Sequence, residues 1–423
     1  MSSTLPASQY CDRVFDGTHA TPKAVDEGKP LVTSKNIVGG TLDLGDCYNI
    51  SLEDYEEIKR RSYVSQWDVL FSMIGSVGEV YLEKNKRIEY AVKNVGVFSC
   101  LNEKRAQWLY YYLKSPTAAK IIKNQLSGAV QKFLGLGALR NFPIPQFIEE
   151  RYESVSFLSA LDAKIELNQR LNAELEGMAK LLYDYWFVQF DIPMSAAQAA
   201  AIGKPRLQGQ PYRASGGKII YNETLKREIP AGWEGGNILA ISEIGSGATP
   251  SKKSPEFWGG NVPFFTPTDA ESEPFCLGTE DHITQLGLKN SATRLYPKGT
   301  LFVTARGSVG KAMIISRAMA MNQSCYALRP KDGVGSAFLY FHTLSLMEYL
   351  KAKSSGSIFK SIVTNDLNFT PAVVPSSQDL IAFNEVAEPI FQSILINQEQ
   401  NQELTALRDW LLPMLMNGQV TVG

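Results

Sequence analysis

Two stretches of this chain place apolar residues at alternating steps of three and four. In the first, Leu158, Leu161, Ile165, Asn168, Asn172, Leu175, Ala179, Leu182 and Trp186 fall on one line; in the second, Ile390, Ile394, Asn397, Asn401, Leu404, Arg408, Leu411 and Leu415 do the same. That period is the seam of a coiled coil and predicts two long helices, over 148–188 and 376–418. The first has no internal proline and one tolerable glycine, Gly177; the second should have Pro389 close to its start and Pro413 close to its end.

The rest of the chain has a different texture. Residues 1–147 alternate short strand-like runs, such as Pro30–Thr33 and Asp68–Ser72, with Gly and Asp turns and an aromatic helix near Gln107–Leu113. This is an α+β globule. Residues 189–230 shift to Ala, Gly, Pro and Ser, with Ala196–Ala201 and Ser215-Gly216-Gly217, and read as a linker holding a short helix or hairpin. The mixed pattern returns over 231–375, and 376–423 is the second helix with a C-terminal tail.

The mixed segments and the helices are two copies of one unit. Gly75-Ser76-Val77-Gly78 returns as Gly307-Ser308-Val309-Gly310, an offset of 307 − 75 = 232, and Asn168, Gln169, Asn172, Glu174 and Leu175 return as Asn397, Gln398, Asn401, Glu403 and Leu404, an offset of 397 − 168 = 229. Before and between these anchors, Thr21-Pro22 answers Thr249-Pro250, Leu31-Val32-Thr33 answers Phe264-Phe265-Thr266, Asp68–Phe71 answers Thr300–Val303, and Ser127-Gly128 answers Ser355-Gly356. The repeated positions are mainly Gly, Pro and apolar residues, which set turns and core; the loops differ, and specificity belongs there.

Composition excludes more than it assigns. A chain of 423 residues with 44% hydrophobic residues can build two or three cored domains. Its formal charge of −1 leaves nucleic-acid binding open, because 42 basic residues can gather on one face. Five scattered cysteines without a C-x-x-C pair suit a reducing compartment, so a cytoplasmic location is expected. No apolar run approaches a membrane span. His19, His282 and His342 lack partners at metal-ligand spacing, so no metal site is expected. Gly307–Lys311 fails as a phosphate loop, since Ala305 stands where the first glycine belongs and Ala312 where Ser or Thr belongs. Asp269 and Glu271 form a nominal acid-base pair, with an ordinary surface pair as the plainer reading.

Each seam carries two central asparagines, a device that fixes register at some cost in stability. Antiparallel pairing would bring the asparagines together; the alternative is that each seam lies on its own globule or on another subunit. Tyr183, Tyr185, Phe187, Trp410 and Met414 extend beyond one narrow stripe, which suits either a second partner surface or packing against the globules. A helix of roughly 35 residues is about 50 Å long. Two antiparallel globule–helix units would have approximate two-fold symmetry, the symmetry of a DNA duplex, and act as a calliper on a split site.

Ile229-Pro230-Ala231-Gly232-Trp233, Gly247-Ala248-Thr249-Pro250-Ser251, Phe257-Trp258-Gly259-Gly260, Val262-Pro263-Phe264 and Thr268-Asp269 resemble the target-recognition domain of type I restriction-modification specificity subunits. Leu411–Gly418 resembles the closing helix of that family. The first half departs from the pattern, with Gly17-Thr18-His19-Ala20-Thr21-Pro22 in place of Gly-x-Thr-Pro and no Phe-Trp-Gly-Gly counterpart.

The resemblance implies two target-recognition domains separated by two long antiparallel helices with pseudo-two-fold symmetry. It also implies a non-catalytic subunit that reads an asymmetric, bipartite double-stranded DNA target and binds two methyltransferase subunits and restriction subunits. S-adenosylmethionine, ATP and Mg are expected on those partners and no cofactor in this chain. Basic side chains on Gly- and Thr-rich loops suit phosphate or guanine contacts. On that ground Lys23, Lys35 and Lys132 in the first domain, and Lys252, Lys253, Arg306 and Lys360 in the second, are the expected DNA contacts. Each competes with the plain reading of a solvated surface cation. The rival functions are a nuclease or methyltransferase with its own recognition domains, for which no catalytic motif is found, and a helical scaffold protein without DNA readout.

Overall fold

The computed structural model describes residues 4–127, 132–147, 149, 152–353 and 361–420. The chain divides into two compact units, Met1–Ile165 with Glu403–Gly423, and Glu166–Gln402. Each holds one mixed domain and one end of each long helix.

The first domain is built on β1 (Arg13–Asp16), β2 (Lys29–Val32), β3 (Asp68–Ser72), β4 (Val80–Leu82), β5 (Ala91–Val92) and β6 (Val95–Ser99). The second uses β7 (Ser242–Ser246), β8 (Trp258–Phe265), β9 (Leu301–Thr304), β10 (Ala312–Ile315), β11 (Ala320–Met321) and β12 (Cys325–Pro330). The main sheet has the order β1-β6-β3-β4 in the first unit and β7-β12-β9-β10 in the second, where Phe275–Cys276 adds an edge strand.

The two sheets match residue by residue. Phe15, Val97, Leu70 and Tyr81 form one row across the first; Gly245, Ala327, Phe302 and Met313 form the same row across the second. The parallel pairs Leu31–Ala91 and Val32–Val92 answer Phe264–Ala320 and Phe265–Met321. The duplication read from Gly, Pro and apolar positions is therefore a duplication of strand register. Because side chains alternate faces along a strand, a slip of one residue would have turned each core face outward.

The cores rest on large apolar side chains. Phe71, Phe98, Trp108 and Phe142 are fully buried in the first unit; Phe264, Phe302, Phe338, Phe383 and Phe391 are in the second. The expected aromatic helix is Glu103–Lys114, started by the Asn102 side chain, which accepts from the Arg105 amide. The 189–230 segment, expected as a linker, contains both the short helix Ala196–Ala201 and the hairpin Ile219–Asn222/Arg227–Pro230. It is packed along much of its length. Phe190, Ile192, Met194, Tyr212 and Ile229 enter the second core, apolar residues that the Ala/Gly/Ser background obscures in a composition average.

The long helices are α1 (Tyr152–Tyr183), continued by a π-helical turn at Asp184–Val188, and α2 (Ser377–Asn417). The helix begins where expected, but Pro389 lies well inside α2 rather than close to its start. Ser376 Oγ and Asp379 cap the helix from its true beginning, and Leu380, Phe383 and Ala387 are buried ahead of the proline. Burial of three apolar residues outweighs the roughly 3 kcal/mol cost of an interior proline.

The seams face each other as the asparagines required. Within the second unit, Asn168 Nδ2 donates to Asn401 Oδ1 (2.9 Å) and Gln400 Oε1 (2.8 Å), and Asn397 Nδ2 donates to Asn172 Oδ1 (2.8 Å). As numbers rise on α1 they fall on α2, so the pair is antiparallel. In the first unit Arg408 Nη1 meets Asp162 at 2.8 Å. Leu158 and Ile394 are fully buried; Leu161, Ile165, Leu175, Leu182, Ile390, Leu404 and Leu411 are half-buried.

Candidate nucleic-acid interface

The paired Gly-Ser-Val-Gly blocks form the same turn twice. Val77 N–H donates to Gly75 O and Val309 N–H to Gly307 O, both at 2.9 Å. Ser72 Oγ donates to Ser76 O and Thr304 Oγ1 to Ser308 O, while each hydroxyl accepts from the amide after the block, Glu79 or Lys311. All four glycines have positive φ, between 79° and 107°, where a side chain is strained. These blocks are scaffold. Their flanks differ: Arg306 stands where the first domain has Ile74, and Lys311 where it has Glu79.

The Thr-Pro loop packs beside the connection that links β5 to β6, or β11 to β12. A Cβ on Gly17 would lie 2.2 Å from Val92 O, and one on Gly247 would lie 2.2 Å from Asn322 O, so only glycine permits this approach. Beyond the glycine, threonine meets a side chain of that connection in both domains. Lys93 Nζ donates to Thr21 Oγ1 at 2.6 Å, and Thr249 Oγ1 donates to Gln323 Oε1. The first domain's departure from Gly-x-Thr-Pro is two extra residues between glycine and threonine. His19 lies in that enlarged loop, between Asp16 Oδ2 (3.2 Å) and Asn94 Oδ1 (2.7 Å). The grip survives the insertion.

The expected contact residues lie on loops that meet these connections or, for Lys132, the Gly75–Gly78 turn. Lys23 follows Thr21; Lys35 sits on the Ser34–Asn36 turn, whose Ser34 Oγ donates to Asn94 O; the Lys132 carbonyl accepts from Gly75. In the second domain Lys252 and Lys253 follow Thr249, on a loop whose Ser251 carbonyl accepts from Trp258 Nε1 at 3.1 Å. The Ala305 and Arg306 amides both donate to Ser324 O, beside Gln323. All six side chains are exposed, and Lys35 is ion-paired with Asp46 at 3.1 Å. Lys360 lies outside the described residues, as do Gly128, Ser355 and Gly356. Lys93 and Gln323 were absent from the sequence-based set. Their signal was the shared Thr-Pro step, which carries no meaning until the loop that it touches is known.

Other expectations resolve as structure. Asp269 caps its own turn, with Oδ2 accepting from Thr266 N–H and Oδ1 from Glu280 N–H. His342 stacks on Phe338, and burial lowers its pKa to about 4. The Ile-Pro-Ala-Gly-Trp motif places Trp233, whose Nε1 donates to Asp379 Oδ2 at 2.7 Å and so ties the domain to the start of α2. Leu412, Leu415 and Met416 of the closing helix are buried in the first unit's core. Among the described residues, no group of three or more His, Cys, Asp or Glu forms a metal-ligand set, and no helix is long and apolar enough to cross a membrane.

The family model of the type I restriction modification DNA specificity domain matches residues 22–177 and again 230–406, one match on each recognition domain and the helix that follows it. The chain belongs to that family. As a type I specificity subunit it is 28% identical to the HindI specificity subunit of Haemophilus influenzae over 64% of this chain and 67% of that one. It is 32% identical to the MjaIX specificity subunit of Methanocaldococcus jannaschii over 44% of this chain and 43% of the relative. The crystal structure of a type I S subunit from M. genitalium superposes with a TM-score of 0.57 at 14% identity, covering 98% of this chain and 96% of that one, which shows a shared fold.

Proposed function

We propose that this specificity subunit reads an asymmetric, two-part target in double-stranded DNA and delivers it to partner subunits that do the chemistry. The observation that carries this reading is the residue-for-residue match of two sheets whose surrounding loops differ in charge and in hydrogen-bonding groups. One scaffold with two side-chain sets suits two unlike half-sites. The exposed cations Lys23, Lys132, Lys252, Lys253 and Arg306 supply sequence-independent attraction to phosphates.

The partners are two adenine methyltransferase subunits, with restriction subunits joining them. S-adenosylmethionine, ATP and Mg belong to those partners, the specificity subunit is non-catalytic, and the complex works in the cytoplasm. Docking is supported by an apolar stripe on α1 away from the seam. Leu167, Leu171, Met178, Leu181, Tyr185 and Val188 recur at steps of three, four and seven, and all are exposed. A row of this kind on a single helix is a surface for another helix.

The test is selection from random duplexes by the full chain assembled with its methyltransferase. Enrichment of a two-part motif with unlike halves is the expected result. Recovery without any sequence preference would instead favour a scaffold role without DNA readout.

A further inference from the structure

In each recognition domain the elements that repeat hold one side chain that does not. Gly17 and Gly247 let the loop cross close to the neighbouring backbone, and Thr21 and Thr249 then reach the connection between the paired strands. That connection is Lys93-Asn94 in the first domain and Asn322-Gln323-Ser324 in the second. By backbone pairing Lys93 corresponds to Asn322, since their amides donate to Val32 O and Phe265 O. The second connection is one residue longer, and Gln323 is the side chain that its threonine meets. A shared clamp on two different polar side chains is wasteful if the clamp serves only the fold, because a common partner would do. It is what two readers on one scaffold require.

We propose that Lys93 and Gln323 are base-reading side chains of the two half-sites, each held in its reading orientation by the threonine of its Thr-Pro step. Thr21 and Thr249 are the positioning residues. The hydrogen bonds fix what remains free to read. Thr249 donates to Gln323 Oε1, which orients the amide and leaves both Nε2 hydrogens and the second lone pair of Oε1 available. That donor–acceptor pair matches N7 and N6–H of adenine in the major groove. Lys93 gives one N–H to Thr21 and keeps two donors, which match guanine O6 and N7. Gln323 is exposed and Lys93 half-buried, so ordering by threonine lowers the entropy lost when either side chain engages a base.

This assignment rests on the DNA-reading function proposed above, and one experiment separates the two. The full chain and variants are co-expressed with their methyltransferase in cells lacking the system, and modified adenines are mapped by single-molecule sequencing. Gln323→Ala is expected to relax preference at one adenine position of one half-site, by about ten- to a hundredfold in discrimination, while the other half-site is kept. The retained half-site reports a folded, assembled subunit. Lys93→Ala should relax one guanine position in the opposite half. Thr249→Val should relax the same position as Gln323→Ala, with Thr249→Ser restoring it. Gln323→Lys should shift that position from adenine towards guanine.

An unchanged motif in these variants, or a uniform fall in methylation at all sites with the motif intact, would overturn the assignment and leave the proposed function standing. Loss of all methylation in both Gln323→Ala and Gln323→Lys would also overturn it. A wild-type chain that yields no two-part motif would overturn both.

Discussion

Asp68 shows how one position can differ between the copies for a local reason. It answers Thr300; Asp68 opens a central strand, Thr300 immediately precedes the matching one, and both are buried. Thr300 Oγ1 donates to the carbonyl of Pro297, which has no N–H; the first domain has Ser65 there, and its N–H donates to Asp68 Oδ2 at 2.8 Å. Proline calls for a donor in its partner, serine for an acceptor. The carboxylate suffers for its burial, which raises its pKa from 3.8 to about 6, with the Ser65 hydrogen bond opposing the shift. The native state therefore holds this proton where the unfolded chain releases it. Stability falls as pH rises from about 4 to about 6, and the deficit, of order 3 kcal/mol, is complete above that window. Asp68→Asn keeps the acceptor and removes the charge. Melting temperatures of variant and wild type should nearly coincide at pH 4 and separate above pH 6, with the variant higher; a gap independent of pH would contradict the assignment.

At the scale of elements, the helix seams were the most legible part of the chain and strand partners the least. A period of three and four persists whatever the helix packs against, so α1 and α2 could be placed from apolar spacing alone. Pro389 was misread because its cost is local while the burial that offsets it, by Leu380, Phe383 and Ala387, depends on the fold. The asparagines allow a sharper test. Asn172 accepts from Asn397 and donates to the Ile394 carbonyl at 3.3 Å, between the buried Ala179 and the Asn168–Asn401 pair of the same seam. Asn172→Leu alone strands the Asn397 amide and should cost about 1–2 kcal/mol. Replacing both by leucine should recover stability and weaken the register that the pair enforces. Chemical denaturation of the four chains of this cycle measures the coupling; additive losses would mean that the two asparagines do not act as a pair.

For the molecule as a whole, repetition was readable because glycine, proline and apolar residues are constrained by turns and cores wherever they occur. The reading side chains were not. Lys93 and Thr21 are 72 positions apart, Gln323 and Thr249 74, and nothing in local spacing marks either pair until Gly17 and Gly247 bring the loops together. The cations expected as contacts were found by residue type, which locates a charged loop and leaves the base-reading group unnamed. The helices make the remaining claim. Both run through the points at which the chain divides into its two units, α1 at Ile165–Glu166 and α2 at Gln402–Glu403. If they set the gap between half-sites, removing one heptad from each at matched positions keeps the seam in phase and takes away about 10 Å of helical rise. At roughly 3.4 Å per base pair this is about three base pairs. Motif mapping of the doubly shortened chain should return the same two half-sites with a gap shorter by that amount, and an unchanged gap would show that the spacing is set elsewhere.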